Sequence, residues 1–535
     1  MSGNRNYVLE MLGYQNENIL ENYFVQIDGT SAIKYDVVAF SDKRLKDIST
    51  SCIAMQNVKD ENEEEQYVEG AKYLAAPVLI TSINDRMRVW KIKAEESTLL
   101  KEDPSNLIHL YFEKNRFAFM PDSLIASKMG YRQIDIFEAS GLIDFSREAT
   151  CKILSEEFEK GLIAAKVYMR SRKKINGQHL NNITSITMHV ISALIINSKV
   201  FVAEQLTDIK MLTGRLSQYY KEYFNEQVMN RYGEELPRVI FDSLNHSINY
   251  QSVDHELLGY FYESTLLQVN KERAGNIRKK LGIYYTPKML SRQISEQIPF
   301  ETISPDDRYV LDGTCGSGSL LLSACKRLDD LVQLERVNYD RQEYLADKIQ
   351  GYDEDKFASE VAKLSLLLYH LPSDVRWKIK AGNLLRLNTK EIQTPYVILG
   401  NPPYKEERKE GKREQKAVEF LERYMEWLHE NGYIGIVLPE SFMQNDSAKQ
   451  QREKLLNQFD ILEFWMLPGR IFENNCSTIV IIAQKKKPLK DNITKIRILT
   501  RNKYSVKRFL EYGYWDFEFL SNRQSEWIKE KKMKI

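Results

Sequence analysis

The sequence is poor in the residues that metal and redox chemistry require. Five cysteines (Cys52, Cys151, Cys315, Cys325 and Cys476) and seven histidines are spread through 535 residues. None shows paired metal-ligand spacing, so no metal site is expected. A reducing, cytoplasmic setting suits such a chain best. Long apolar runs are missing too. The start, Met1-Ser2-Gly3-Asn4-Arg5-Asn6, leads into no apolar core, and the most apolar stretch, near Ile183 to Ala203, is interrupted by His189, Asn197 and Lys199. Neither a signal peptide nor a membrane span is expected. Charge of one sign is also lacking: the net charge is +1, which argues against a surface coated for a polyanion and makes any phosphate contact local. There is no internal repeat and no low-complexity linker. What is present is 43% hydrophobic content, enough for ordinary cores in a chain with room for two to four domains.

One tetrapeptide stands out. Asn401-Pro402-Pro403-Tyr404 follows the apolar run Tyr396-Val397-Ile398-Leu399 as a strand passing into a loop. Asn offers a side-chain carbonyl, the prolines restrict φ and remove competing N–H groups, and Tyr offers a ring face. Together they can hold an adenine N6 amine by its hydrogens; an ordinary Asn-Pro-Pro turn is the alternative.

Upstream, Tyr309-Val310-Leu311-Asp312-Gly313-Thr314-Cys315-Gly316-Ser317-Gly318-Ser319 reads as a strand, a Gly-rich turn and the start of a helix with Leu320, Leu321, Leu322, Ala324 and Cys325. Such corners let a nucleoside-containing ligand approach backbone N–H groups. No Lys-Ser or Lys-Thr follows the glycines, so a phosphate-cradling P-loop is not indicated. Asp312 suits a cationic ligand instead. The next strand ends at Gly351-Tyr352-Asp353-Glu354-Asp355, where Asp353 can accept both hydroxyls of a ribose and Asp355 suits a helix N-cap. In Trp377 to Leu384, Asn383 can contact an adenine ring, and a turn-forming Asn beside Gly382 is an equally good reading. Strand and helix alternate from about 308 to 485, which predicts a doubly wound, mainly parallel sheet in an α/β fold.

These segments resemble the adenine-N6 DNA methyltransferases of restriction–modification systems, specifically the type I modification subunits and the fused type IIG enzymes. Gly282-Ile283-Tyr284-Tyr285-Thr286-Pro287 stands where that family has its Tyr-Tyr-Thr-Pro segment, and Asp254 to Glu263 is similar to the helix ahead of it. Gly432 to Pro439 and Ser477 to Ala483 are similar to its closing strands. The similarity spans roughly residues 240 to 487. It implies an S-adenosylmethionine-dependent methyltransferase fold and a residue-by-residue site. Tyr284, Thr286 and Pro287 would close over the methionine end of the cofactor. Asp312 with the backbone of Gly313, Gly316 and Gly318 would bind its amino acid moiety, and Asp353 its ribose. Asn383 stands where the family often has Asp against the adenine. Asn401 and the Pro402 carbonyl, with Pro403 fixing the loop, would accept the N6 hydrogens of a target adenine flipped out of double-stranded DNA while Tyr404 stacks on it. Cys315 reads as a small buried residue at a tight corner, not as a nucleophile.

The remainder divides by composition. Residues 1–104 resemble a PD-(D/E)XK nuclease domain. Tyr35 to Phe40 and Ser51 to Gln56 read as paired strands, Glu65 to Ala75 as a helix, and Val78 to Thr81 with Arg88 to Ile92 as a hairpin. Asp36 is in place, but Ala54 and Gln56 occupy the family's Glu and Lys positions, so the domain is expected to be inactive and Mg²⁺ to matter only if it cleaves. The acidic run Glu61, Glu63, Glu64 and Glu65 reads as solvated surface. Residues 105–275 read as a helical connector, 276–487 as the methyltransferase domain, and 488–535 as a tail whose aromatics Tyr512, Tyr514, Trp515, Phe517 and Phe519 suggest a docking surface. Lys405 to Lys416 carries six basic residues diluted by four glutamates, a candidate phosphate patch or a solvated face. With few residues after Lys487 for target recognition, a separate specificity subunit is expected. The alternatives are a truncated form of a longer enzyme, a protein glutamine-N5 methyltransferase whose substrate amide shares the NH₂ geometry, and a DNA-binding subunit without turnover.

Overall fold

A computed structural model describes residues 2–43, 45–128, 141–172, 176–201, 206–224, 226–259, 261–262, 286–335, 340–388, 392–404, 406–409, 412–472, 476–489, 491–513, 515, 517–531 and 533. The chain divides into two compact units, Met1–Ser264 with Leu368–Asp374, and Thr265–Leu367 with Val375–Ile535.

In the first unit a helix, α1 (Ser2–Met11), precedes a six-stranded sheet whose spatial order follows the sequence: β1 (Ile19–Gln26), β2 (Ala32–Phe40), β3 (Ser51–Asn57), β4 (Val78–Ile83), β5 (Arg86–Lys91) and β6 (Thr98–Pro104). Neighbours are antiparallel except β3 and β4, which run parallel. A parallel pair needs a crossover, and α2 (Glu61–Tyr73) supplies it. Alternating Val37, Ala39, Ile53, Met55, Val78, Ile80 and Val89 pack on Leu9 of α1, on Leu12 just after it, and on Phe112 and Phe119.

The paired strands, the helix and the hairpin therefore stand as the sequence implies, except that α2 starts at Glu61, because Asp60 caps it by accepting the Glu63 N–H at 2.8 Å. The acidic run is not all solvated. Glu64 is buried and accepts from Arg88 Nη1 at 2.7 Å, Trp90 Nε1 at 2.9 Å and the Thr81 hydroxyl. Those partners lie on β4 and β5, beyond the reach of any local pattern.

Long helices follow, α3 (Leu142–Arg170) and α4 (Gly177–Val200); they lie in the region expected to be a helical connector, but in the same compact unit as the six-stranded sheet. α4 is long and apolar enough to cross a bilayer, but 83% of its most apolar window is buried within the unit. Arg147 of α3 is buried and donates to Asp254 Oδ2 at 2.6 and 2.7 Å and to Glu256 Oε2 at 2.6 Å. Two residues of the segment Asp254 to Glu263 thus hold the connector to itself.

The second unit is built on nine strands, of which β7 (Val310–Asp312), β8 (Ile349–Asp353), β9 (Lys378–Ala381) and β10 (Val397–Gly400) come first. A small hairpin, β11 (Glu406–Lys409) with β12 (Lys412–Gln415), stands outside that sheet. It occupies the basic segment that the sequence left between loop and helix. The large sheet then takes in β13 (Tyr433–Pro439), β14 (Asp460–Leu467), β15 (Thr478–Gln484), β16 (Ile493–Leu499) and β17 (Phe517–Arg523). Its order is β17-β16-β14-β15-β13-β10-β7-β8-β9.

From β13 to β9 every pair is parallel, while β15 runs antiparallel to both β13 and β14, and β17 to β16. The sheet is mixed, with the parallel part where the alternating pattern places it. Helices α5 (Lys288–Glu296), α6 (Ser319–Glu335), α7 (Lys356–His370) and α8 (Lys416–Trp427) serve this unit. α7 begins where expected, with Asp355 Oδ1 accepting the Phe357 N–H at 2.9 Å.

The segment expected to be a tail beyond residue 487 instead adds β16 and β17 to the sheet, with helices at Lys503–Tyr512 and Gln524–Glu530. In β16, Ile496 is buried between Lys495 and Arg497, and Leu499 is buried at the strand's end, a pattern too polar to stand out by sequence. Nor is Trp515 left for docking. Its ring meets Trp465 at 5.0 Å and Phe509 at 4.8 Å, and its Nε1 donates to Gln293 at 3.1 Å. Tyr514 lies outside the described residues.

Candidate functional site

The strand order places the two sequence motifs side by side. β8 and β9 lie on one side of β7 and β10 on the other, so the chain reverses its direction of progress between β7 and β10. Crevices at the carboxyl ends of strands at such a point are where open α/β sheets bind ligands. Asp312 ends β7 and Asn401 follows β10 directly.

The Gly-rich turn is held from beneath. The Cys315 N–H donates to the Tyr352 carbonyl at 2.9 Å, and Asp353 Oδ2 accepts the Gly316 N–H at 2.8 Å. Gly316 and Gly318 have φ of +53° and +87°, values that favour glycine. A Cβ on Gly318 would stand 3.0 Å from Ala362 of α7, and one on Gly313 would overlap Leu384, whereas around Gly316 the space is open. The turn therefore presents bare backbone outward at Gly316 and packs tightly at its other glycines.

Two carboxylates flank it. Asp312 is buried and accepts the Thr314 N–H at 2.9 Å; burial, opposed by that bond and reinforced by Asp353, pushes its pKa up to about 8. Asp353 accepts N–H groups from Asp355 and Gly316, each at 2.8 Å. Its pKa is pushed up to about 6, again chiefly by burial. Both carboxylates are thus poised for a partner that restores what desolvation takes away, a cation or a set of hydroxyl donors. Cys315 is buried and its thiol is pushed well up, first by burial and then by these carboxylates, consistent with an inert corner residue.

Thr286 joins the motifs. Its hydroxyl accepts from Asn401 Nδ2 at 3.1 Å, and its carbonyl accepts the Ser319 hydroxyl, at the start of α6, at 3.0 Å. The hydroxyls of Ser291 and Ser319 are 2.8 Å apart. Pro287 directly precedes α5. The Tyr404 hydroxyl donates to Asn401 Oδ1 at 2.6 Å, so that carbonyl already holds one donor. Tyr284 lies outside the described residues.

Asn383 takes the turn-forming role among its readings. Its Oδ1 caps the Leu385 N–H at 2.8 Å, and its Nδ2 donates to Glu354, which also meets Lys416 Nζ at 3.2 Å. Tyr424 of α8 was not singled out by sequence. It is fully buried, and its ring and hydroxyl are what a Cβ on Gly313 or on Gly400 would meet, at 2.9 Å in each case. One side chain is thus a common floor for the turn after β7 and the end of β10. In the sequence it is merely an apolar position at helical spacing.

Residues 253–508 match the N-6 DNA Methylase family. The type II restriction enzyme and methyltransferase RM.BcgI of Heyndrickxia coagulans is 26% identical over 212 residues, covering 39% of this chain and 31% of that protein. The type I restriction enzyme EcoEI methylase subunit of Escherichia coli is 23% identical over 285 residues, covering 51% of this chain and 55% of that one. Among solved structures, the type IIG restriction endonuclease BpuSI aligns at a TM-score of 0.45 and 14% identity, over 99% of this chain and 62% of that chain. The chain spans from about a third to about half the length of the curated relatives named here.

Proposed function

We propose that this chain, whose residues 253–508 match the N-6 DNA Methylase family, transfers a methyl group from S-adenosylmethionine to the N6 amine of adenine in DNA, within a restriction–modification system. The observation that carries the reading is the convergence of Asn401, Tyr404 and Thr286 beside the Gly-rich turn at the switch point of the sheet.

The residues fit the cofactor. The open space at Gly316 admits a ligand against bare backbone, buried Asp312 suits its α-ammonium, and Asp353 has lone pairs left for ribose hydroxyls after accepting two N–H groups. When bound, S-adenosylmethionine supplies an electrophilic methyl group on a sulfonium.

The chain's own task is to make a poor nucleophile attack. An exocyclic aromatic amine has its lone pair delocalised into the ring. Two acceptors, Asn401 Oδ1 and the Pro402 carbonyl, aimed at its hydrogens favour a more tetrahedral nitrogen and stabilise the positive charge it develops. Tyr404 serves as a placeholder, because its hydroxyl donates to the oxygen that an N6 hydrogen would take. Exchanging one donor for the other is nearly neutral in free energy, and it releases the ring to stack on the base. Flipping the base out costs a few kcal/mol, offset in part by stacking worth about 1–3 kcal/mol. Thr286, by accepting from Asn401 Nδ2, restrains the orientation of that amide.

In the first unit, a PD-(D/E)XK-like domain without cleavage fits best. Asp36 Oδ2 accepts the Asn57 N–H at 3.1 Å, while the Gln56 amide accepts the Asp36 N–H and donates to the Asn57 carbonyl, each at 2.9 Å. Where a metal site needs a second carboxylate and a lysine, Ala54 and a bonded amide stand. A specificity subunit is proposed as partner because EcoEI's match is itself a methylase subunit.

The test is methyl transfer from labelled S-adenosylmethionine to mixed DNA, with and without proteins from neighbouring genes, followed by nucleoside analysis. N6-methyladenine is the expected product. Transfer to a protein glutamine instead, or cofactor binding without transfer to DNA under any combination, would overturn the reading.

A further inference from the structure

We propose that a lysine-lined groove in the first unit binds the phosphate backbone of duplex DNA, apart from the contacts the methylated base makes; this rests on the DNA reading above. The groove, about 780 Å³, lies between the β5–β6 edge and the short helix Ile108–Lys114. Lys91, Lys93, Lys101 and Lys114 line it with a single carboxylate, Asp103. Asp103 meets Lys101 at 3.0 Å, and among the lining residues four lysines face that one carboxylate.

Two features make this more than scattered surface lysines. The chain as a whole has a net charge of only +1, so four lysines facing one cavity are a local concentration that the remainder of the chain balances. The β5–β6 ladder also carries an irregularity: Val89 pairs with Lys101 but Trp90 pairs with Leu99, so Leu100 is the extra residue. In a regular strand Leu100 and Lys101 would face opposite sides. Lys101 pairs with Val89 and so shares the face of Lys91, and the bulge adds Leu100 to that face, so that both line the groove with Lys91 and Lys93.

Leu100, Leu110 and Tyr111 supply apolar lining, and the lysines outnumber the neutral polar side chains Thr98 and Asn115. That chemistry suits a repeating phosphate without sequence preference. Each lysine that neutralises a phosphate releases counterions, so the groove contributes to affinity in a salt-dependent way.

The test measures the affinity of the whole chain for a duplex of random sequence across a salt series, beside methyl transfer by the same preparations. The Lys93→Glu/Lys114→Glu variant changes two residues outside the sheet's core, and the Lys93→Arg/Lys114→Arg variant controls for charge alone. The expected result is at least tenfold weaker duplex binding for the glutamate pair, with a log–log salt slope shallower by roughly 0.9 per lost phosphate contact, and near-normal behaviour for the arginine pair. Unchanged affinity and slope with methyl transfer intact would overturn the groove and leave the proposed function standing. Loss of binding in the glutamate pair, with no transfer by the parent chain, would do the reverse. Micromolar binding of tripolyphosphate that depends on these lysines, with duplex affinity unaffected, would assign the groove to a small anion and overturn the duplex.

Discussion

At the scale of single residues, Asn401 and Asp312 make opposite demands. Asn401→Ala removes one of two acceptors for the amine and the bond to Thr286, so kcat should fall by about 10²–10³ or more, while calorimetry should find S-adenosylmethionine affinity within severalfold of the parent. Near-normal turnover would sink the pocket assignment. Asp312 has its pKa raised from 3.8 to about 8 by burial, so the folded chain holds a proton there that the unfolded chain has lost. Between about pH 4 and pH 8 its contribution to stability therefore declines as pH rises, being fully present below the unfolded pKa and lost as pH passes the folded one. A cationic ligand prefers the ionised form, so affinity for S-adenosylmethionine should climb from pH 6 to 8. Asp312→Asn should flatten both profiles, as thermal melts and binding titrations across that range would reveal. Both residues were legible in sequence because each ends a recognisable strand. Tyr424 was not, since nothing local distinguishes a floor beneath two glycines from any other buried aromatic.

At the scale of elements, β7, β10 and α8 form one device. A methyl group at Gly313 would overlap Leu384 and press on Tyr424, so Gly313→Ala should destabilise by about 1–3 kcal/mol through overpacking and weaken cofactor binding with it. In the first unit, Glu64 on α2 is the buried partner of Arg88, Trp90 and Thr81 on β4 and β5. Glu64→Ala leaves a partly buried guanidinium without its main acceptor, and a loss of about 3 kcal/mol is expected in chemical denaturation. A change below about 1 kcal/mol would mean that Glu61 and Glu102, which also meet Arg88, take over. The sequence suggested a solvated acidic run here because helical spacing alone does not say which face meets a sheet.

At the scale of the whole molecule, the chain joins a six-stranded unit to a nine-stranded one, and the chemistry of the two differs. The second carries the residues proposed for methyl transfer. In the first, on the proposed nuclease-like reading, Ala54 and Gln56 stand where the carboxylate and lysine that hold a divalent ion and activate water would be. Supercoiled plasmid incubated with the chain and Mg²⁺ should stay uncut under conditions that support methylation. Linear product that disappears on Asp36→Ala would show that ligands have migrated and that cleavage survives.

What the sequence by itself determined is the set of local strand, turn and helix starts: the alternation of apolar positions, the Gly-rich corner after β7, the Asn-Pro-Pro-Tyr loop after β10 and the Asp355 cap. Each is written within a few residues and depends on backbone sterics and short-range hydrogen bonding. Only the tertiary structure decided the strand order that brings Asn401 beside Asp312, the placing of Thr286 between two motifs far apart in the chain, the burial of Glu64, and the continuation of the sheet into β16 and β17. Those outcomes depend on which apolar faces meet across long separations, and pairing of that kind leaves no periodic mark in either partner alone.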